Sequence, residues 1–211
     1  TYYSTTDATY YDGVVGNWLF DDARKDGDTE ILEVGTNYYV GLFHSRGREE
    51  YKTVDIRHIL ITPETGTKAQ GDEGYEDEQT QLKAAARTKA EEILAQWKSG
   101  EATEDSFAQL ALENSADGSK YDGGLYTRVT KGWAVEEFND WCFDASRKDG
   151  DTGIVDTTYG SHVMYFVGYD LPAWAASVTS DLQEKASSAW STALSENADV
   201  QQSDFGMKFV G

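Results

Sequence analysis

The sequence predicts an α+β fold, a four-stranded and largely antiparallel sheet flanked by helices. Three observations predict it. Two apolar runs more than a hundred residues apart, Val54-Asp55-Ile56-Arg57-His58-Ile59-Leu60-Ile61 and Tyr159-Gly160-Ser161-His162-Val163-Met164-Tyr165-Phe166, read as buried strands, and each carries a histidine. Between them lie three helical patterns rather than a train of strands. One supersecondary unit also occurs twice along the chain.

The repeat comes first in the chain. Trp18–Thr29 matches Trp141–Thr152 at nine of twelve positions, and the match extended to Phe43 and Phe166 is twelve of 26. In the second copy Phe138, Trp141, Cys142 and Ala145 recur at i, i+3, i+4 and i+7, so they mark a helix that runs into the turn Lys148-Asp149-Gly150-Asp151. Two strands follow, around Ile154-Val155 and His162–Val167. The first copy has the same helix, turn and strands, but Tyr39 stands where the second has His162. Nothing upstream supplies the earlier half of the unit, so residues 1–48 read as an incomplete, degenerate copy. Two readings of it differ: the tail of a truncated domain, or a second active site, and the tyrosine favours the first.

The strand of residues 54–61 alternates, with Val54, Ile56, His58 and Leu60 on one face, which puts His58 toward the core. Residues 62–79 carry Gly66, Gly71 and Gly74 among six acids and one base, Lys68, and read as a mobile acidic loop. A long helix is expected from about Thr80 to Lys98, with Leu82, Ala86, Ala90, Ile93, Leu94 and Trp97 along one stripe and Gly100 as its stop. A shorter helix carries Phe107, Leu110 and Ala111, with Ser106 and Gln109 spaced as a capping box. After Pro172, Trp174, Val178, Leu182, Ala186, Trp190, Ala193 and Leu194 form another helical stripe. Packing on the domain or on the N-terminal fragment is the expected use of that stripe, and an arm for client chains the other.

Composition narrows the function. The 211 residues hold 18 basic and 38 acidic side chains, a net charge of −20. Such a field repels nucleic acid and anionic lipid; solubility is the expected use of the charge, and an acidic surface that attracts basic unfolded chains the other. The one cysteine, Cys142, excludes an intrachain disulfide and sits between Trp141 and Phe143 as a small buried apolar residue. No run approaches the ~18 apolar residues of a membrane span. The chain opens on Thr1, and it reads as a piece of a longer protein whose missing targeting signals say nothing about location.

Several chemistries drop out. Asp117–Gly123 has the acids of a calcium loop, but Tyr121 and Asp122 occupy the positions that need Asp or Asn and Gly. Three histidines and one cysteine make no zinc cluster. No nucleophile elbow and no phosphate loop is present.

Taken in order, the Arg57-His58 strand, the long helix, the Phe107–Leu112 helix, the Ser115-Ala116-Asp117 loop, the Gly123-Gly124-Leu125 turn, the helix bearing Phe138 and the Gly160-Ser161-His162 strand form a pattern over residues 52–169. That pattern resembles the parvulin family of peptidyl-prolyl cis-trans isomerases. The resemblance implies a parvulin-like (FKBP-like) domain at 52–169, an incomplete copy at 1–48 and a C-terminal helix and tail at 170–211. It implies isomerisation of X-Pro bonds in unfolded or extended polypeptides, with no cofactor and no metal. A non-catalytic holdase of the same fold is the alternative.

Carried over residue by residue, His58 and His162 match the family's histidine pair, and Asp117, allowing a one-residue deletion after it, matches a position held by Asp or Cys. Leu125 and Phe138 match the apolar floor under the proline ring. Trp133 and Ala134 stand where the family usually carries Gln-Met, the Met lining the proline pocket, and Tyr126 replaces the usual second glycine of the Gly-x-Leu-Gly turn. The two histidines are expected to face each other across neighbouring strands and share a proton, as scaffold or as direct partners of the reaction. Asp117 is expected either at the reacting centre or in an Asx-turn with its own backbone. Lys68 alone among six acids argues against phosphorylated substrates. Likeness to extracytoplasmic foldases of Gram-positive bacteria implies an extracytoplasmic location, with membrane contact only through an N-terminal anchor absent from this sequence.

Overall fold

The structure, a computed structural model, describes residues 10–197. The chain divides into two units at Arg48/Glu49. The first contains helix α1 (Val14–Phe20) and a two-stranded antiparallel hairpin of β1 (Thr29–Val34) and β2 (Asn37–Leu42). Trp18, Leu32 and Phe43 form its small core, with Val15, Leu19 and Tyr39 packed against it.

The second unit holds β3 (Lys52–Ile61), α2 (Tyr75–Ser99), α3 (Glu104–Asn114), a 3-10 turn (Gly118–Asp122), β4 (Leu125–Val129), α4 (Glu136–Cys142), β5 (Thr152–Thr157), β6 (Gly160–Pro172) and α5 (Ala173–Asn197). Its four strands run in the order β4-β3-β6-β5, every neighbour antiparallel. The central strands β3 and β6 are covered on both faces, which is why their sequences read as continuous apolar runs. On one face Ile59, Ile61 and Val163 pack with Ala86, Ala90, Ile93 and Trp97 of α2 and Phe107, Leu110 and Ala111 of α3. On the other, Val54, Ile56, Met164 and Phe166 pack with Phe138 and Cys142 of α4. Among these, each fully buried Val, Ile, Phe or Met side chain contributes about 1.5–3 kcal/mol. Burial pushes the Cys142 thiol up to about 12, so it behaves as an apolar filler.

The repeat is structural as well as sequential. Phe43 N–H donates to Asp28 O and Gly27 N–H to Phe43 O; 123 residues on, Phe166 N–H donates to Asp151 O and Gly150 N–H to Phe166 O. Arg24 lies over Trp18 as Arg147 lies over Trp141.

Four expectations are revised. Helix α2 starts at Tyr75 rather than Thr80, because Glu76, Asp77 and Glu78 fill its first turn, where carboxylates meet the positive end of the helix dipole. The preceding segment is tied down: the Glu78 carboxylate accepts from Thr67 N–H, Thr67 Oγ1 and Lys68 N–H. The capping box of α3 is built by Thr103 and Ser106 instead of Ser106 and Gln109. Helix α5 buries Ala173 and Ala176 at its start, but Val178, Leu182, Trp190 and Leu194 are exposed, so that part of its stripe does not pack on the sheet domain.

Candidate active site

Two central strands supply the histidines. In the β3–β6 ladder His58 lies opposite Met164, and His162 lies opposite Leu60. Cross-strand partners share a face, so both rings point to the α4 side, where both are buried. The rings stack at 15° with centroids 5.3 Å apart, and their Nδ1 atoms are 3.0 Å apart. Phe138 of α4 stands nearly perpendicular to both, 5.6 Å from His58 and 5.3 Å from His162.

Asp117 caps the 3-10 turn: its Oδ1 accepts from Ser119 N–H at 2.8 Å, closing an Asx-turn. The same oxygen accepts from the Ser119 hydroxyl and from Tyr126 OH at 3.0 Å. His58 Nε2 is 3.3 Å from it, off the line of a well-formed hydrogen bond, and has no other partner among the described residues. Both sequence readings of Asp117 therefore coexist, since the Asx-turn aims the carboxylate at His58. Burial alone would raise this carboxyl, but the Ser119 side-chain and backbone donors, with His58 and Tyr126, hold it well below the usual carboxylate range.

At the other end, His162 Nε2 lies 2.9 Å from Thr157 Oγ1, which itself accepts from Tyr159 N–H. Direction follows from donor inventory. A carboxylate only accepts, so the proton facing Asp117 sits on His58 Nε2. His58 Nδ1 is then bare and accepts from His162 Nδ1–H, which leaves His162 Nε2 to accept from the Thr157 hydroxyl. The links Thr157→His162→His58 are satisfied with both rings neutral, and the His58 Nε2–H faces the Asp117 carboxylate across a 3.3 Å contact. Burial, followed by the His58 charge, pushes His162 down to about 4, and burial lowers His58 against the opposing pull of Asp117.

The walls differ in one respect from expectation. Leu125 pairs with Arg57, whose Nε donates to Glu104 at the start of α3, whereas Tyr126 pairs with Ile56. The ladder thus turns Leu125 toward α3, away from the histidines. Tyr126 takes the place assigned to it, its ring 5.4 Å from His58. Trp133 is half exposed and packs 4.8 Å from Tyr126 and 6.3 Å from Phe138, while Ala134 packs against the core that includes Phe138. Sequence reasoning missed Thr157, Ser119 and the role of Tyr126. Thr157 was open to discovery: it pairs with Gly160 across a two-residue turn, which sets it diagonal to His162. A hollow of about 290 Å³ lies against α2, and its lining includes Thr157 but neither histidine.

A four-stranded antiparallel sheet with paired histidines on its central strands, under an aromatic wall from the following helix, defines the parvulin class of rotamase domains. The chain belongs to that family: the PPIC-type PPIase domain matches residues 41–167. It is similar to foldase protein PrsA 1 of Listeria innocua, 29% identical over 142 residues that cover 65% of this chain and 39% of the relative. The protein of the same name from Listeria monocytogenes serotype 4b is 28% identical over the same coverage. The chain spans 39% of the length of these curated relatives. Among solved structures, PrsA from Bacillus subtilis shares 21% identity at a TM-score of 0.45, over 72% of this chain and 52% of that one.

Proposed function

We propose that this chain is a peptidyl-prolyl cis-trans isomerase acting on X-Pro bonds of unfolded or extended polypeptides. The observation that carries the reading is the relay from Thr157 to Asp117 beneath Phe138. Rotation about an X-Pro bond crosses a barrier of ~18–20 kcal/mol, set by the partial double character of C–N. Conjugation is lost in the twisted state, so binding that state better than either planar one lowers the barrier without covalent chemistry.

In this mechanism the proline ring packs on Phe138, with Tyr126, Trp133 and Ala134 around it and water excluded. The neutral histidines act as a rigid polar floor rather than as bases. The Ser119 Asx-turn and the Tyr126 hydroxyl hold the Asp117 carboxylate at one position beside His58, where its field acts on the carbonyl and nitrogen as their shared charge separates. The acids before α2 and the net charge of −20 favour unphosphorylated, basic clients. Likeness to PrsA-type foldases supports an extracytoplasmic place of work, which fractionation of the source cells would test.

A second reading has its own support. Ala134 and the half-exposed Trp133 leave a flatter, more open wall, suited to holding a client without turning its proline. NMR exchange spectroscopy on a short unphosphorylated X-Pro peptide decides between them. Cis–trans exchange peaks that appear with catalytic amounts of protein and fade with His58→Ala support the isomerase. Peptide shifts without exchange peaks would leave the holdase.

A further inference from the structure

We propose that Asp55 is a positioning residue for Tyr126: its carboxylate locks a bulge in β4, and that bulge turns the tyrosine toward Asp117 and His58. The placement of Tyr126 stands on geometry alone, and its consequence for prolyl exchange rests on the function proposed above.

The bulge shows in the register. From Arg57 to Val54 strand β3 takes three steps, whereas from Leu125 to Val129, their partners, β4 takes four. The surplus falls between the pairs Ile56–Tyr126 and Val54–Val129, so Thr127 and Arg128 together oppose Asp55. Where it falls decides the faces. Val54, Ile56 and Val129 belong to the core under α4. In a regular strand Val129 and Leu125 would share that face, with Tyr126 on the other. The extra residue after Tyr126 reverses this. Tyr126 joins Val129 on the α4 side, its ring 5.4 Å from His58 and its hydroxyl 3.0 Å from Asp117 Oδ1. An extra residue before Tyr126 would leave the ring on the α3 side.

Asp55 fixes the place. Arg128 has φ +54°, in the left-handed region that favours glycine, and among the described residues it is the one non-glycine residue of that kind inside a strand. A bulge takes a backbone N–H out of the ladder, and Asp55 Oδ1 accepts that of Arg128 at 2.7 Å. One carboxylate thus satisfies the freed donor and holds the strained residue. Strand β4 lies at the edge of the four-stranded sheet, so its register depends on β3. Its entry is tied through Gly124, whose carbonyl accepts from His58 N–H, and its exit by the burial of Val129. Between those ends the Asp55 bond sets where the surplus residue sits. The Arg128 guanidinium reaches Asp170 separately, at 3.3 Å, so side chain and backbone can be tested apart.

The test reads Tyr126 first. In protein carrying ¹³C-labelled tyrosine, Tyr126→Phe assigns its signals, the Cζ shift follows its phenol, and nuclear Overhauser contacts report its distance from the His58 ring. Burial and the Asp117 bond hold that phenol above its ordinary value. Asp55→Ala should bring it down and remove the contacts to His58, while X-Pro exchange falls at least fivefold. Asp55→Asn keeps an acceptor and should behave as the wild type. Adding Arg128→Gly to Asp55→Ala should restore all three readouts, because glycine takes the left-handed conformation unaided. That double variant also decides the matter if Asp55→Ala alone does not fold. Asp170→Asn, which touches only the guanidinium, should change none of them. An unchanged titration and unchanged contacts in folded Asp55→Ala, or a double variant that fails to recover them, would overturn the proposal. Tyr126 displaced with exchange at the wild-type rate would overturn its bearing on the reaction. If the wild type itself shows no prolyl exchange, the isomerase reading fails, and the Tyr126 readouts alone decide whether Asp55 places the ring.

Discussion

His58 and His162 meet through their Nδ1 atoms at 3.0 Å although neither is the other's cross-strand partner. They are diagonal neighbours, set two positions apart along the ladder, and each ring leans toward the other over the same face. One histidine therefore reaches back toward Asp117 and the other outward to Thr157. Long-range ¹H–¹⁵N correlation at pH 7 should show the proton on Nε2 in His58 and on Nδ1 in His162. A cationic ring, or the reverse tautomers, would contradict the relay.

Acid should unfold this domain in a defined window. Both histidines have folded values below their ordinary 6.5, His162 at about 4. The unfolded chain therefore binds protons first, and stability falls as pH drops from about 6.5 to about 4. One proton gives a slope of about 1.4 kcal/mol per pH unit there. Urea midpoints measured from pH 7.5 to 4 should follow that slope, and His162→Gln should flatten it.

Asp117 anchors three donors through one oxygen, so charge and shape can be separated. Asp117→Asn keeps an acceptor for Ser119 and Tyr126 and should cost about 1–2 kcal/mol of stability. The Tyr126 phenol is raised by burial and then by its bond to Asp117. Its ultraviolet titration should move down in Asp117→Asn while prolyl exchange falls by about tenfold or more, about 1.4 kcal/mol in barrier. Exchange at the wild-type rate would mean that the carboxylate charge plays no part.

Gly124 holds His58 by close backbone approach. Its φ is +74°, and a Cβ there would lie 2.3 Å from His58 O, while its own carbonyl accepts from His58 N–H at 2.9 Å. Gly124→Ala combines left-handed strain with that clash and should cost about 2 kcal/mol or more. Gly118→Ala, with nothing within 4 Å, should stay within about 0.5 kcal/mol. Thermal melts of the pair give the comparison.

Strands β3 and β6 were legible because burial on both faces wrote long apolar runs, and the histidines stood out inside them. The pairing of Leu125 with Arg57 was not legible, for an equally physical reason. Side chains alternate along a strand, so a one-residue uncertainty in where β4 enters the ladder exchanges one face for the other. Gly123-Gly124 announces a turn but does not count residues into the strand. The acids of residues 76–78 looked like loop composition, and only helix α2 continuing through them shows that they serve its first turn.

By itself the sequence determined the repeat, the two histidine strands, the order of helices and the acid excess, all properties of local pattern and composition. Tertiary structure decided which face Tyr126 occupies, that one Asp117 oxygen collects three donors, and that Val178, Leu182, Trp190 and Leu194 of the α5 stripe are exposed. Those outcomes depend on which distant segments come within hydrogen-bond and van der Waals reach. Periodicity can show that a side chain needs a partner, but only the folded chain brings the partner to it or leaves it exposed.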